Sequence, residues 1–169
     1  MNKMTNGYIY LIQPMYYKSR SKWERNLSIY IPDNVYKVGK TSQIPVTKRL
    51  SQYGYYKTIY IETINSESVN GHFAVYPDNV ETRCIDYFKE NFKQWCYGKE
   101  YFIISDIERA KQLINISYKD EIRRIEDMDI KLENKLKIER ETREYIKKIK
   151  QNITLDYKKK EQTQETIQA

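Results

Sequence analysis

At 169 residues the chain has room for one compact domain with an appendage but not for two full domains. Its formal charge is +7, and its two cysteines and one histidine exclude a disulfide framework and a His/Cys zinc site. No stretch reaches transmembrane length and the first residues lack the apolar run of a signal peptide, so the expected setting is intracellular: the cytoplasm of the source or of a host cell, with the nucleus also open.

In chain order, residues 7–13 (G-Y-I-Y-L-I-Q) are β-branched and aromatic after a turn glycine, and read as a strand ended by Pro14. Residues 15–26 have no clean period and read as a basic aromatic loop, followed by a short strand over 27–31. A second strand covers 35–39. Pro45 suits the first turn of a helix running to about Gln52, with Gly54 as its stop. Residues 57–64 alternate as a third strand. A further short strand is expected over 73–76. Asp78 or Asn79 then caps a helix over 80–95, whose buried face carries Cys84, Ile85, Phe88, Phe92 and Trp95. That helix includes Cys96 at its end, so Cys84 and Cys96 cannot bridge. Residues 101–104 form a last strand, and Ser105 with Glu108 forms a capping box for a helix to about Ile114. From residue 118 a broken heptad pattern predicts a charged helical tail to 156, with 157–169 disordered.

The charge is uneven. Residues 1–118 hold 16 Lys and Arg against 11 Asp and Glu, while 119–169 hold 14 against 12. The globular part is therefore the basic one, which points to a polyanion and first to nucleic acid; a basic surface kept for solubility is the plain alternative. The 17 tyrosines and many lysines are also what an AT-rich genome would produce.

Four features follow one another: Tyr10 on the first strand, Lys37 and Lys40 around Gly39 on the second, Arg49 on the next helix, and Glu81 opening the helix after the third strand. Phosphodiester hydrolysis needs a metal site, a base for water, and cations for the transition-state charge. Glu81 can hold magnesium with waters. Tyr10 can act as the base if neighbouring Lys37 and Lys40 lower its pKa from about 10. Lys37, Lys40 and Arg49 can balance charge.

The motifs G-Y-I-Y at 7–10, K-V-G-K-T at 37–41, R-L at 49–50, the Glu81 helix and G-K-E-Y-F at 98–102 together resemble the GIY-YIG nuclease superfamily, in particular its branch from phages and large DNA viruses. The resemblance spans roughly 7–104. It implies an α+β domain over 1–117, with a small three-stranded antiparallel sheet flanked by helices. It also implies one Mg²⁺ (or Mn²⁺) on Glu81, a water nucleophile activated by Tyr10, and phosphate charge balanced by Arg49. Lys37 stands where many members have tyrosine. The asparagine found late in some members has no clear match.

Each residue also has a structural alternative: Tyr10 as a core tyrosine, Arg49 as a solvated helix charge, Glu81 as a complement to the helix dipole. Tyr8 and His72 are weaker site candidates. Lys18, Arg20, Lys22, Trp23 and Arg25 suit DNA contact, with cations on phosphates and Trp23 or the tyrosines on bases, or else form a plain solvated loop. The tail's apolar stripe suits self-packing, a homodimer or DNA. The leading expectation is a DNA endonuclease; the rival is a DNA-binding accessory module of the same fold without catalysis.

Overall fold

The computed structural model describes residues 7–18, 28–65 and 72–168. Among the described residues it is an α+β structure with a five-stranded antiparallel sheet, a two-stranded ribbon and three α-helices. The strands are β1 (Gly7–Pro14), β2 (Tyr16–Lys18), β3 (Ser28–Tyr30), β4 (Val35–Thr41), β5 (Tyr56–Ile64), β6 (Lys93–Gln94) and β7 (Tyr101–Ile103). The helices are α1 (Thr47–Leu50), α2 (Pro77–Asn91) and α3 (Ile107–Gln168), and a 3-10 turn over Ser51–Tyr53 extends α1.

The main sheet has the order β5-β1-β4-β7-β6, so it is five-stranded and not three-stranded as expected. The strands read over 7–13, 35–39 and 57–64 form its β5-β1-β4 side, and the strand read over 101–104 is β7. The two-residue β6 falls where the sequence reading carries a helix to 95, because two residues have no period of their own. β2 and β3 pair separately as a two-stranded ribbon.

Strand alternation divides β1 between two faces. Tyr10 and Ile12 pack with Leu50 and the partly buried Val46, Tyr53, Tyr56 and Ile61. Ile9 and Leu11 point the other way and are fully buried. On that second face Phe88 of α2 meets Phe102 of β7 edge-on at 5.4 Å. Val80, Cys84 and Phe88 recur at helical spacing and are fully buried, which is why α2 lies along the sheet.

Several boundaries differ from the sequence reading. Residues 73–76 form no strand. α2 starts at Pro77, whose missing N–H costs nothing at a first helical position, so Asp78 and Asn79 lie inside the helix and Tyr76 precedes it without a side-chain cap. α2 stops at Asn91 because Phe92 turns extended, which puts Trp95 and the exposed Cys96 beyond the helix; both cysteines are free. The helix expected from Pro45 is one α turn followed by a 3-10 turn. The cap of α3 is Asp106, whose Oδ1 accepts the Arg109 N–H at 3.0 Å, and not Ser105.

α3 does not stop at Ile114. Ala110, Leu113, Ile114, Ser117, Glu121 and Ile125 remain buried, and the compact unit accordingly runs to Asp127. Residues 128–169 form a second unit, helical through Gln168, where the sequence reading ended the helix at 156. The Lys, Glu and Gln of 158–165 are good helix formers, and low hydrophobicity alone misjudged them. In this unit Ile138, Tyr145, Ile146, Ile149, Ile153 and Tyr157 are exposed. No described helix is long and apolar enough to cross a membrane.

The α2–α3 contact depends on Glu121, 1 % exposed, which accepts hydrogen bonds from Arg83 Nε at 2.7 Å and Arg124 Nε at 3.1 Å. Burial raises its pKa, and the two guanidiniums more than offset that, leaving it below the usual carboxylate range. Glu121→Ala should therefore destabilise the protein by about 2–3 kcal/mol in urea titrations; an unchanged midpoint would mean the triad contributes nothing net.

Candidate active site

The first determinant is Gly39. It pairs directly with Tyr10 across β1 and β4, and a Cβ added to it would lie 2.5 Å from the Tyr10 ring. The phenol lies over the space a side chain would fill. Gly39 does not end its strand, as the expected bounds 35–39 had it: it is a mid-strand residue that gives Tyr10 its seat. Gly7 plays the same part for α2, since its Cβ would lie 2.3 Å from Pro77 Cγ. The absent side chain lets the N-terminus of α2 approach the end of β1 and bring Asp78 and Glu81 with it.

Tyr10 is 1 % exposed and its hydroxyl shares a 2.9 Å hydrogen bond with the Tyr53 hydroxyl. Tyr53 lies four residues after Arg49, one turn along the same face, and the Arg49 guanidinium sits 5.8 Å from the Tyr53 ring. Lys37 is buried and ion-paired to Glu100. Its Nζ lies 5.5 Å from the rings of Tyr53 and Tyr101 and 6.0 Å from that of Tyr10. A cleft of about 500 Å³ opens over this group, lined by Tyr17, Lys18, Lys37, Arg49, Tyr53 and Glu100 among others.

Lys40 does not join Lys37. Three residues along a strand places the two on opposite faces, and Lys40 pairs with Asp78 in a neighbouring depression that also includes Thr41 and Tyr76. Arg49 lines both.

The electrostatics correct the expected role of the lysines. They do not lower the Tyr10 pKa. Burial raises it well above the ordinary tyrosine value, the Tyr53 hydrogen bond raises it further, and only Arg49 works in the opposite direction. Arg49 is itself held more firmly protonated: burial opposes this, but Tyr10, Tyr53 and Glu100 outweigh it.

Glu81 is half-buried. Its pKa is pushed up to about 7, first by burial and then by the charge of Glu100, against the pull of Lys40 and Lys37, with Asp78 adding to the rise. This carboxyl therefore senses the same lysines and carboxylates that line the two clefts. Among the described residues no three His, Cys, Asp or Glu side chains are grouped as a metal cage. A magnesium ion bound through one carboxylate and otherwise through water and substrate oxygens still fits Glu81, because like charges and burial make its lone anion costly and a cation would relieve that cost.

The other candidates are placed as follows. Tyr8 is half-buried on the same pleat face as Tyr10, and Lys18 lines the cleft. His72 is exposed on the segment entering α2 and lines neither cleft. Arg20, Lys22, Trp23 and Arg25 lie outside the described residues. Sequence reasoning missed Tyr53, which its four-residue spacing from Arg49 could have revealed. Glu100, present in the sequence only as part of G-K-E-Y-F, gains its role from Lys37, a partner 63 residues away that no local pattern announces. No family model, curated protein or solved structure matches this chain.

Two measurements test this geometry. Gly39→Ala forces the Tyr10 ring to move and should cost about 1–3 kcal/mol of stability; a denaturation midpoint equal to wild type would contradict the packing. For Glu81, the folded state holds a proton that the unfolded chain releases near the ordinary 4.5. Stability of the metal-free protein should therefore fall as pH rises from about 4.5 through about 7. Glu81→Gln removes that loss, so its melting temperature should gain on wild type between pH 5 and pH 8 in EDTA, and parallel curves would refute the shift.

Proposed function

We propose that the chain is a metal-dependent endonuclease of the GIY-YIG kind that hydrolyses DNA phosphodiester bonds. The observation that carries this reading is convergence. Tyr53, Arg49 and Lys37 line one cleft, Tyr10 is buried behind it and hydrogen-bonded to Tyr53, and Glu81, which lines neither cleft, feels the charges of Lys37, Lys40, Asp78 and Glu100. The basic balance of residues 1–118 agrees with a polyanionic substrate.

In this reading Glu81 holds Mg²⁺ or Mn²⁺. When bound, the cation polarises a phosphoryl oxygen and balances transition-state charge. Lys37 and Arg49 contact the phosphate and stabilise the charge that builds on it. The hydrogen-bonded Tyr10–Tyr53 pair loses one proton at high pH to give a phenolate held by a phenol, with Arg49 reducing the cost. Tyr53, which faces the cleft, presents that base to water. Water oxygen bonds to phosphorus, the P–O bond to the leaving strand breaks, and the water proton passes to the tyrosine pair. Lys40, drawn from its pairing with Asp78, binds flanking phosphate in the neighbouring depression.

One observation favours a second reading, a DNA-binding accessory module of the same fold without catalysis: Tyr10 is buried and held firmly protonated at neutral pH. Plasmid nicking separates the two. Wild type should nick in Mg²⁺ or Mn²⁺, fail in EDTA, and speed up toward alkaline pH. Tyr10→Phe and Tyr53→Phe should each lose about 10²–10⁴-fold, Arg49→Ala about 10²–10³-fold, and Glu81→Gln should be inactive. Salt-sensitive DNA binding without nicking at any pH would support the accessory module instead.

A further inference from the structure

The cleft has a second wall that the proposed chemistry does not use. Tyr17 of β2 lies half-buried within it, held by three other rings: Trp95 at 5.9 Å, Tyr97 at 5.9 Å and Tyr101 at 5.3 Å between centroids. Trp95 and Tyr101 meet it edge-on, whereas Tyr97 is tilted only 32° from it and is itself 39 % exposed. Gly98, at φ +73°, carries the chain around the cluster; a Cβ there would strike Tyr101 at 2.6 Å. Exposed Lys18 and Lys99 stand on the rim.

This wall joins the reacting end through one side chain. Tyr101 touches Tyr17 on one side and lies 5.5 Å from Lys37 Nζ on the other. A phosphate at Lys37 and Arg49 would thus have a fixed aromatic surface within the reach of its own nucleotide, with lysines alongside for the adjoining phosphates.

Resting on the nuclease reading, we infer that this wall seats an unpaired nucleobase next to the scissile phosphate, so that the substrate is DNA with a single-stranded junction and not continuous duplex. In a duplex both faces of a base are covered by its stacked neighbours; an aromatic wall beside a phosphate site can engage a face only when the base is unstacked. Aromatic stacking with flanking lysines tolerates any base, so the preference is for structure over sequence. An aromatic cluster open to solvent among cations matches that ligand in both shape and charge.

The test is binding, which does not need turnover. Full-length Glu81→Gln protein is titrated with two oligonucleotides of equal phosphate number: a blunt duplex, and a duplex bearing a short single-stranded flap with 2-aminopurine as its first unpaired base. The flap substrate should bind about tenfold tighter or better, and the 2-aminopurine emission should be quenched on binding. Tyr17→Leu should abolish both effects while leaving blunt-duplex affinity unchanged; Tyr17→Phe should retain them. Tyr97→Ala, at an exposed position that does not threaten folding, should weaken the quenching. Equal affinity for the two substrates, or quenching that survives both Tyr17→Leu and Tyr97→Ala, overturns the inference and leaves the nuclease reading standing. Failure to bind either DNA overturns both.

Discussion

The site depends on a phenol lying flat across a glycine. Tyr10 and Gly39 face each other across the central strand pair, and the ring occupies the volume of the missing side chain. That contact fixes the hydroxyl at the level where Tyr53 can meet it from the turn after α1. It also explains the burial. A ring seated on a strand between Ile12, Leu50 and Tyr53 has no path to solvent, and desolvation then opposes its ionisation. Packing and electrostatics are the same constraint here: the position that makes Tyr10 rigid also makes it a reluctant acid, and Arg49 offsets only part of that.

The charges around it are arranged in opposition. Lys37 answers Glu100, Lys40 answers Asp78, and Glu81, acted on by all four, is raised first by its own burial. A surface assembled for stability would distribute these charges so that each carboxylate was satisfied, as Glu121 is between Arg83 and Arg124. The contrast between the two glutamates is instructive. Both sit on helices and both are shielded from water, yet one is held below the ordinary carboxylate pKa and the other is pushed to about 7. The first joins α2 to α3; the second is a half-buried carboxyl whose raised pKa comes first from burial and then from the Glu100 charge.

Legibility from sequence followed range of interaction. The central strands were readable because β-branched alternation is local: residues 7–13, 35–39 and 57–64 each became a strand within a few residues. The buried face of α2 was readable from the spacing of Cys84 and Phe88, but its end was not, because Phe92 and Trp95 continue the same period after the backbone has turned extended. The strand over 101–104 was readable as β7, but β6 was absorbed into the expected end of α2, because two residues cannot announce a strand that exists only through its pairing. At the site, Tyr10, Lys37, Arg49 and Glu81 were all named beforehand, but the sign of the Tyr10 shift was not. Proximity of lysines on a neighbouring strand suggested a lowered pKa. Burial and the hydrogen bond to Tyr53 reversed it.

The same distinction orders the site by stiffness. Moving Tyr10 requires disturbing a close-packed core in which even one added carbon is resisted. Opening Lys40 from Asp78 requires only the exchange of one partly exposed ion pair for another, and such pairs are individually weak. A polyanion entering the clefts would therefore leave the tyrosine pair in place and draw Lys40, and with more effort the buried Lys37, away from their carboxylates. Those carboxylates, Asp78 and Glu100, are the two that already act on Glu81. Any anion that took the lysines would remove the charges that hold the Glu81 pKa down. The mobile part of the site is thus its ion pairs, and Tyr10 on Gly39 is its fixed point.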